Sequence, residues 1–244
     1  MGKKMLLLGV YGMEMVECGG ALLKNALNGG ESYASLMLAG EKSRPQVLEA
    51  AKILKTEVTF LEYKFGEIMP TPEQKLQMIR LIRKIQPDVI ITQDTEHCIS
   101  DLDPDRREAM TLILESIALA SRNYELAEGE KTCPIPEIYF MTPNNPNCLL
   151  NIADVWEEKQ ASMDCLTSQI EFSAAHYEHY YGQEIMEKIV PGWSSIDSMY
   201  EKGRRAITEF NKAYYLSNGS YKHSHFAFAE TYRKEGMFHL EQLS

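Results

Sequence analysis

The apolar positions of this chain fall into two rhythms. Residues 5–10 (MLLLGV) form an unbroken apolar run, as expected of a strand covered on both faces. Residues 32–39, 57–61, 89–92 and 136–141 are further short strand-like runs, β-branched at 89–92. Between them, apolar residues recur at helical spacing. The clearest case is 71–84: Thr71-Pro72-Glu73 opens a helix, and Leu76, Ile79, Ile82 and Ile85 share one face. Residues 21–27, 45–55 (with Pro45 in the first turn) and 107–121 are also predicted helices.

Strands alternating with helices predict right-handed βαβ crossovers. The expected fold class is α/β: a Rossmann-like, mostly parallel sheet with helices on both faces. After Met141 the rhythm changes. A loop dense in Pro and Asn (142–147) leads to predicted helices at 154–169 and 198–215, then a turn at Asn218-Gly219-Ser220. The expected organisation is a single domain over 1–244, with a core at 1–141 and a helical C-terminal extension at 142–244.

Parallel sheets bind ligands beyond the carboxyl ends of their strands. Two unusual segments follow strand ends: Val10-Tyr11-Gly12-Met13-Glu14-Met15-Val16-Glu17 and the acidic stretch from Asp94 to Arg106. The pattern places both at the mouth of one crevice, although they are distant in sequence.

Composition narrows the function classes. The 244 residues include 25 Lys+Arg against 35 Asp+Glu, a formal net charge of -10. An acidic surface repels phosphate backbones, so nucleic acid is not expected as a partner. No stretch approaches ~18 apolar residues, so no membrane span is expected. Five cysteines without CxxC spacing fit a reducing, cytoplasmic setting and give no zinc-ribbon signal. Lys3-Lys4 and the apolar run after it faintly imitate a signal peptide, but the run is short and soon meets Glu14 and Glu17.

Several pieces, in order along the whole chain, carry a resemblance. They are Val10-Tyr11-Gly12-Met13-Glu14 with Cys18-Gly19-Gly20; Gly40-Glu41 with Arg44; and Pro87-Asp88-Val89 followed by Asp103-Pro104-Asp105-Arg106. Ile152-Ala153-Asp154 with Lys159 and Ser168-Gln169, and Ala229-Glu230-Thr231-Tyr232, complete the set. Together they resemble the PIG-L/LmbE-like zinc-dependent N-deacetylases, which act on amino-sugar conjugates. The resemblance implies zinc at positions occupied here by Val10, Met13 and Arg106. It implies a general base at Gly12 and an oxyanion-stabilising residue at Asp103. Only Glu14, Pro104 and Asp105 keep the motif residue.

Catalytic zinc needs about three N, O or S ligands and an open position for water. Val10 has no lone pair, the Met13 thioether is too soft, and Arg106 is a permanent cation. The inherited mechanism is therefore expected to be absent, with no metal and no cofactor. A sugar- or glycoconjugate-like small molecule is the expected ligand. The alternative is an active hydrolase, of the amide or N-acetyl sugar type, with a remodelled or different-metal site. Glu14, His97, Asp103 and Asp105 are its catalytic candidates. Ligand-binding candidates are Val10, Gly12, Met13, Glu14 and Arg44, together with Asp94, Asp103, Arg106 and His225.

Some readings stay open at this level. Arg106 either pairs with carboxylates in the vacated metal region or sits on the surface at a helix start. The acidic residues of the two loops either hold a hard cation or are solvated and cap helices. His176 and His179 share a helix face, flanked by tyrosines. His223 and His225 would point the same way if they lay on a strand. Cys18, near a helix N-terminus, would need a base such as His97 to act as a nucleophile. The resemblance also implies a homo-oligomer, though no apolar helical stripe specifies one.

Overall fold

The computed structural model describes residues 2–236. The chain starts with β1 (Lys4–Tyr11), α1 (Gly12–Glu17), α2 (Gly19–Leu27) and β2 (Glu31–Leu38). It continues through α3 (Arg44–Ile53), β3 (Thr56–Phe60), α4 (Pro72–Ile85) and β4 (Val89–Gln93). Then come α5 (Thr95–Ile99), α6 (Pro104–Ala120), β5 (Glu137–Met141) and β6 (Cys148–Asn151). The rest is α7 (Trp156–Asp164), α8 (Thr167–Tyr181), α9 (Gln183–Ile189), α10 (Met199–Gly219) and β7 (Ala229–Lys234).

Among the described residues the strands form one seven-stranded sheet, in the order β3-β2-β1-β4-β5-β7-β6. The pairs from β3 to β5 are parallel, with Leu7 of β1 opposite Ala34 on one side and Ile91 on the other. β7 runs antiparallel between β5 and β6. The apolar run of β1 has the predicted cause. Leu7 enters one core with residues of α1, α2, α3 and α7, while Leu6, Leu8 and Val10 enter a second core with α4 and α6. Leu6, Leu7 and Leu8 are fully buried; each contributes about 2 kcal/mol.

Local signals act where they stand in the sequence. The Thr71 side chain accepts from Gln74 N–H to cap α4, and Pro72 fills the first turn. Asp103 does the same for α6 through Asp105 N–H, with Pro104 behind it. Gly20 is required by close approach: a Cβ there would lie 2.4 Å from Ile152 Cγ2.

After Met141 the chain departs from a purely helical extension. β6 and β7 widen the sheet, held together by paired residues such as Leu150 and Glu230. The predicted helix 154–169 is broken. Residues Ala153–Val155 form a 3-10 turn, and Leu166 leaves helical geometry (φ -82, ψ 58), its side chain buried in the core. Helix α10 runs to Gly219, so the turn expected at 218–220 is its last turn and cap.

Candidate functional site

Strands β2 and β3 lie on one side of β1, and β4 and β5 on the other. The carboxyl ends of β1 and β4 therefore flank the point where the winding reverses. Here β1 passes straight into α1, and β4 into α5. The two segments singled out in the sequence do converge.

Arg106, in the first turn of α6, is the hinge of the site. Its Nη2 lies 3.4 Å from Glu14 Oε1, and its Nε lies 3.9 Å from both Asp101 Oδ2 and Asp103 Oδ2. The guanidinium sits 5.3 Å from the centre of the Tyr11 ring. None of these carboxylate contacts is a close hydrogen bond. The paired reading of Arg106 holds; the bulk-solvent reading does not.

Glu14 is buried at the base of this pair. Its Oε2 accepts from Val10 N–H at 2.7 Å, while its Oε1 has no hydrogen-bond partner. Burial pushes its carboxyl up to about 7; Arg106 opposes this and the Glu17 charge adds to it. Glu17, one turn along α1 and half-buried, is also raised by burial, against the pull of Arg106 and Lys159. Tyr11 Oη donates to Asp103 Oδ2 at 2.5 Å.

A cavity of about 360 Å³ opens beside Arg106. Tyr11, Gly12 and Met13 form one wall; Ser43, Gln46 and Val47 of the α3 start form another; Phe65, Ser168 and Gln169 also face it, with Leu38, Gly40 and Leu166 between them. Gln46 and Ser168 close the wall by exchanging hydrogen bonds of 2.8 and 3.0 Å. Gly12 is needed because a Cβ there would fall 2.6 Å from Val47 Cγ2. Tyr11 and Phe65 lie side by side with their rings tilted by 31° and their centres 6.1 Å apart.

Other sequence candidates take different places. The Val10 side chain is fully buried in the core, and only its N–H reaches the site. Asp105 is buried and accepts from Gly66 N–H at 3.0 and 2.8 Å, so it pins the loop that carries Phe65. Asp94 caps α5 through His97 N–H and pairs with Arg233 at 2.8 Å. Arg44 turns away to Glu62, at 2.5 Å, and stacks on Phe60. His97 is half-exposed, 3.8 Å from Asp101. His225 lies exposed in the loop after a 3-10 turn, and His223 ends that turn, so neither is on a strand. The Cys18 thiol is buried 3.5 Å from Met141 Sδ, and burial raises its pKa well above the usual range. That excludes a ready thiolate.

Sequence reasoning missed a second cluster beside α1. Lys159 Nζ donates to Val16 O, Glu17 O and Glu230 Oε1 at 2.7, 2.6 and 2.7 Å. Glu230 also accepts from Gly20 N–H, Ala21 N–H and Tyr232 Oη at 2.7, 2.9 and 2.7 Å. Three of the motif pieces, Gly19-Gly20, Lys159 and Glu230, are thus one buried node. Gln93 was missed as well. It donates to Arg106 O at 2.5 Å while its buried Oε1 has no partner.

The arrangement does not fit zinc. The implied ligand positions supply a buried isopropyl group, a thioether and a cation whose charge would repel the metal. Among the described residues, no group of three or more His, Cys, Asp or Glu side chains is placed to hold a metal ion.

N,N'-diacetylchitobiose deacetylase from Pyrococcus horikoshii superposes over 96% of this chain and 84% of its own, with TM-score 0.70 and 20% identity. The chain has the fold of the PIG-L/LmbE-type deacetylases. The 4-carboxy-2-hydroxymuconate hydratase GalB of Pseudomonas putida shares it too, over 99% of this chain and 100% of its own, with TM-score 0.67 and 19% identity. A deacetylase of teicoplanin biosynthesis matches over 95% and 97%, with TM-score 0.61 and 9% identity. By sequence, 4-oxalmesaconate hydratase of Pseudomonas putida is 24% identical over 154 residues. That match spans 59% of this chain and 55% of the hydratase, so the chain covers about half the length of this curated relative. No protein-family model matches the chain. Among the described residues, no helix is long and apolar enough to cross a membrane.

Proposed function

We propose that this protein binds a small sugar-like molecule in the crevice at the ends of β1 and β4, and that it does so without zinc-dependent deacetylation. The observation that carries this reading is the guanidinium of Arg106, 3.4 Å from Glu14 Oε1, at a position where the resemblance implies a metal ligand. A cation held there by protein carboxylates replaces the role of a metal as positive centre, but it cannot lower the pKa of a bound water as zinc does. The cavity wall fits a polyhydroxylated ligand. Gln169 offers an amide and the Tyr11–Phe65 pair an aromatic surface, beside the polar side chains of Ser43, Gln46 and Ser168, which already bond to Gly40 O and to each other. The deacetylase neighbours, one named for diacetylchitobiose and one from teicoplanin biosynthesis, support the sugar-like class.

A second reading rests on Glu14. A buried carboxyl with pKa about 7 and one unpartnered oxygen is suited to general acid–base work. On this reading the protein is an active hydrolase or hydratase that activates water with a carboxylate, and the hydratase relatives support the wider chemistry.

A thermal-shift screen separates the two. Amino sugars, N-acetyl sugars and neutral sugars are tested with and without divalent ions, and each is followed for product. The first reading expects a sugar-dependent shift, indifferent to added zinc, with no turnover. Metal-free turnover abolished by Glu14→Gln favours the second reading. Zinc-dependent deacetylation overturns both.

A further inference from the structure

Packing does not explain Phe65. Its side chain is 68% exposed and belongs to none of the apolar cores. Its one ring contact among the described residues is with Tyr11. An exposed phenylalanine contributes little to folding. This one lines the cavity beside Tyr11 and Arg106.

The loop that carries Phe65, between β3 and α4, is fastened on both sides of it. Before Phe65, Leu61 is buried and its carbonyl accepts from Gln77 Nε2 at 2.9 Å. Tyr63 Oη donates to Gln74 O at 3.1 Å. After Phe65, Gly66 turns the chain with φ +74, and Ile68 is buried in the core. The Gln74 side chain donates to Glu67 O at 2.9 Å and accepts from Met69 N–H at 3.0 Å. Asp105 holds the turn itself. Its buried carboxylate accepts from Gly66 N–H at 3.0 and 2.8 Å and from Ile68 N–H at 3.4 Å. Hydrogen bonds to an ionised carboxylate are stronger than neutral ones, so this contact is a firm clamp. Asp105 and Arg106 are consecutive in the first turn of α6, and the Arg106 guanidinium lies over the Tyr11 ring. One helical turn therefore sets both the positive centre and the loop that presents Phe65. A surface loop held this tightly around an exposed ring is organised before any ligand arrives, so little freedom is lost on binding.

We infer that Phe65 is the specificity-determining residue of the crevice, a platform that covers one face of the ligand's ring, and that Asp105 is its positioning residue. The favoured ligand is a cyclic sugar over an open-chain polyol. A pyranose has a C–H face that an aromatic ring can cover, and an open-chain polyol has no fixed face to offer. The sugar half of this statement rests on the function proposed above; the platform half does not.

Calorimetry tests both halves with four probes. Glucosamine and N-acetylglucosamine are cyclic sugars, sorbitol is an open-chain polyol, and indole is a ring without hydroxyls. The expected result is at least ~10-fold tighter binding of the cyclic sugars than of sorbitol. Phe65→Ala should weaken both sugars and indole about 10-fold, and Phe65→Tyr should restore them. The urea midpoint should not move in Phe65→Ala, because the ring is exposed. In the wild type, the Gly66 and Ile68 amides should exchange hydrogen at least ~10-fold more slowly than the Phe65 amide. Asp105→Asn should remove that protection and weaken the ring ligands several-fold. In the Phe65→Ala background the same substitution should change affinity no further, because Asp105 acts through Phe65. An equal loss in both backgrounds, or equal exchange rates in the wild type, overturns the positioning role. If indole binding depends on Phe65 while no sugar binds, the sugar-like class fails and the platform stands. If no probe binds, or Phe65→Ala keeps full affinity for all of them, the platform is wrong.

Discussion

Two carboxylate–cation clusters flank helix α1, and they are built in opposite ways. In the Lys159–Glu230 node both side chains are almost fully buried, and the ammonium and both carboxylate oxygens are held at 2.6–2.9 Å. In the Arg106 cluster the shortest ion-pair distance is 3.4 Å, the Arg106 side chain is 29% exposed, and Glu14 Oε1 is left without a hydrogen-bond partner. The first ties α1, α2, α7 and β7 together. The second leaves bonding capacity unspent at the mouth of a cavity. A satisfied buried network specifies structure, whereas an unsatisfied one beside a pocket points to a ligand.

The sharpest way to break this comparison is to cut the satisfied node. Lys159→Met leaves Glu230 as a buried, unpaired carboxylate and should cost about 3–5 kcal/mol of stability in urea unfolding. A loss below ~1 kcal/mol would mean that the node is not structural. Gly20→Ala attacks the same node by crowding. Its Cβ would fall 2.4 Å from Ile152 Cγ2 and 2.7 Å from Glu230 Oε1, so a loss of about 1–3 kcal/mol is expected in the same assay.

The open cluster should answer to pH instead. The Glu14 carboxyl is raised from its ordinary 4.5 to about 7 in the fold. Between those values the native state binds the extra proton, so this group makes stability fall as pH rises, and the fall levels off above about 7. Glu14→Gln removes that dependence. At pH 8 the variant should be more stable than the wild type, by on the order of 3 kcal/mol. Parallel wild-type and variant stability curves across pH 4–8 would contradict the assignment. Smallest of all should be Arg106→Gln. Arg106 makes no close ion pair and Glu14 can take up a proton in response, so stability should change by less than ~1 kcal/mol while affinity for crevice ligands changes.

Much of the fold was legible because its strands are buried on both faces. A run such as residues 5–10 can then be apolar throughout, and capping residues such as Thr71 mark where helices begin. The missed elements are those in which tertiary context overrides the local pattern. α1 and α5 are too short to show a helical period, at 6 and 5 residues. β7 carries a buried Glu230 that reads as polar surface until Lys159 and the Gly20 amide are placed against it. The helix expected over 154–169 breaks because Leu166 turns into the core.

The site was legible in its charged members and not in its neutral one. Arg106, Glu14 and Asp103 were all named from the motif pieces, and they do converge. Gln93 ends an apolar strand, and nothing in its neighbours signals that its amide oxygen would be stranded. Arg44 and His225 were placed by analogy, but the Glu62 pair holds one away from the cavity and the loop geometry holds the other.

The central claim is that the positive centre of this crevice is Arg106 and not a metal. Equilibrium dialysis of the wild-type protein against zinc at pH 7.5, with elemental analysis of the retained metal, tests it most directly. The account predicts no stoichiometric zinc, and no difference between wild type and Glu14→Gln. One zinc per chain, lost in Glu14→Gln, would contradict it.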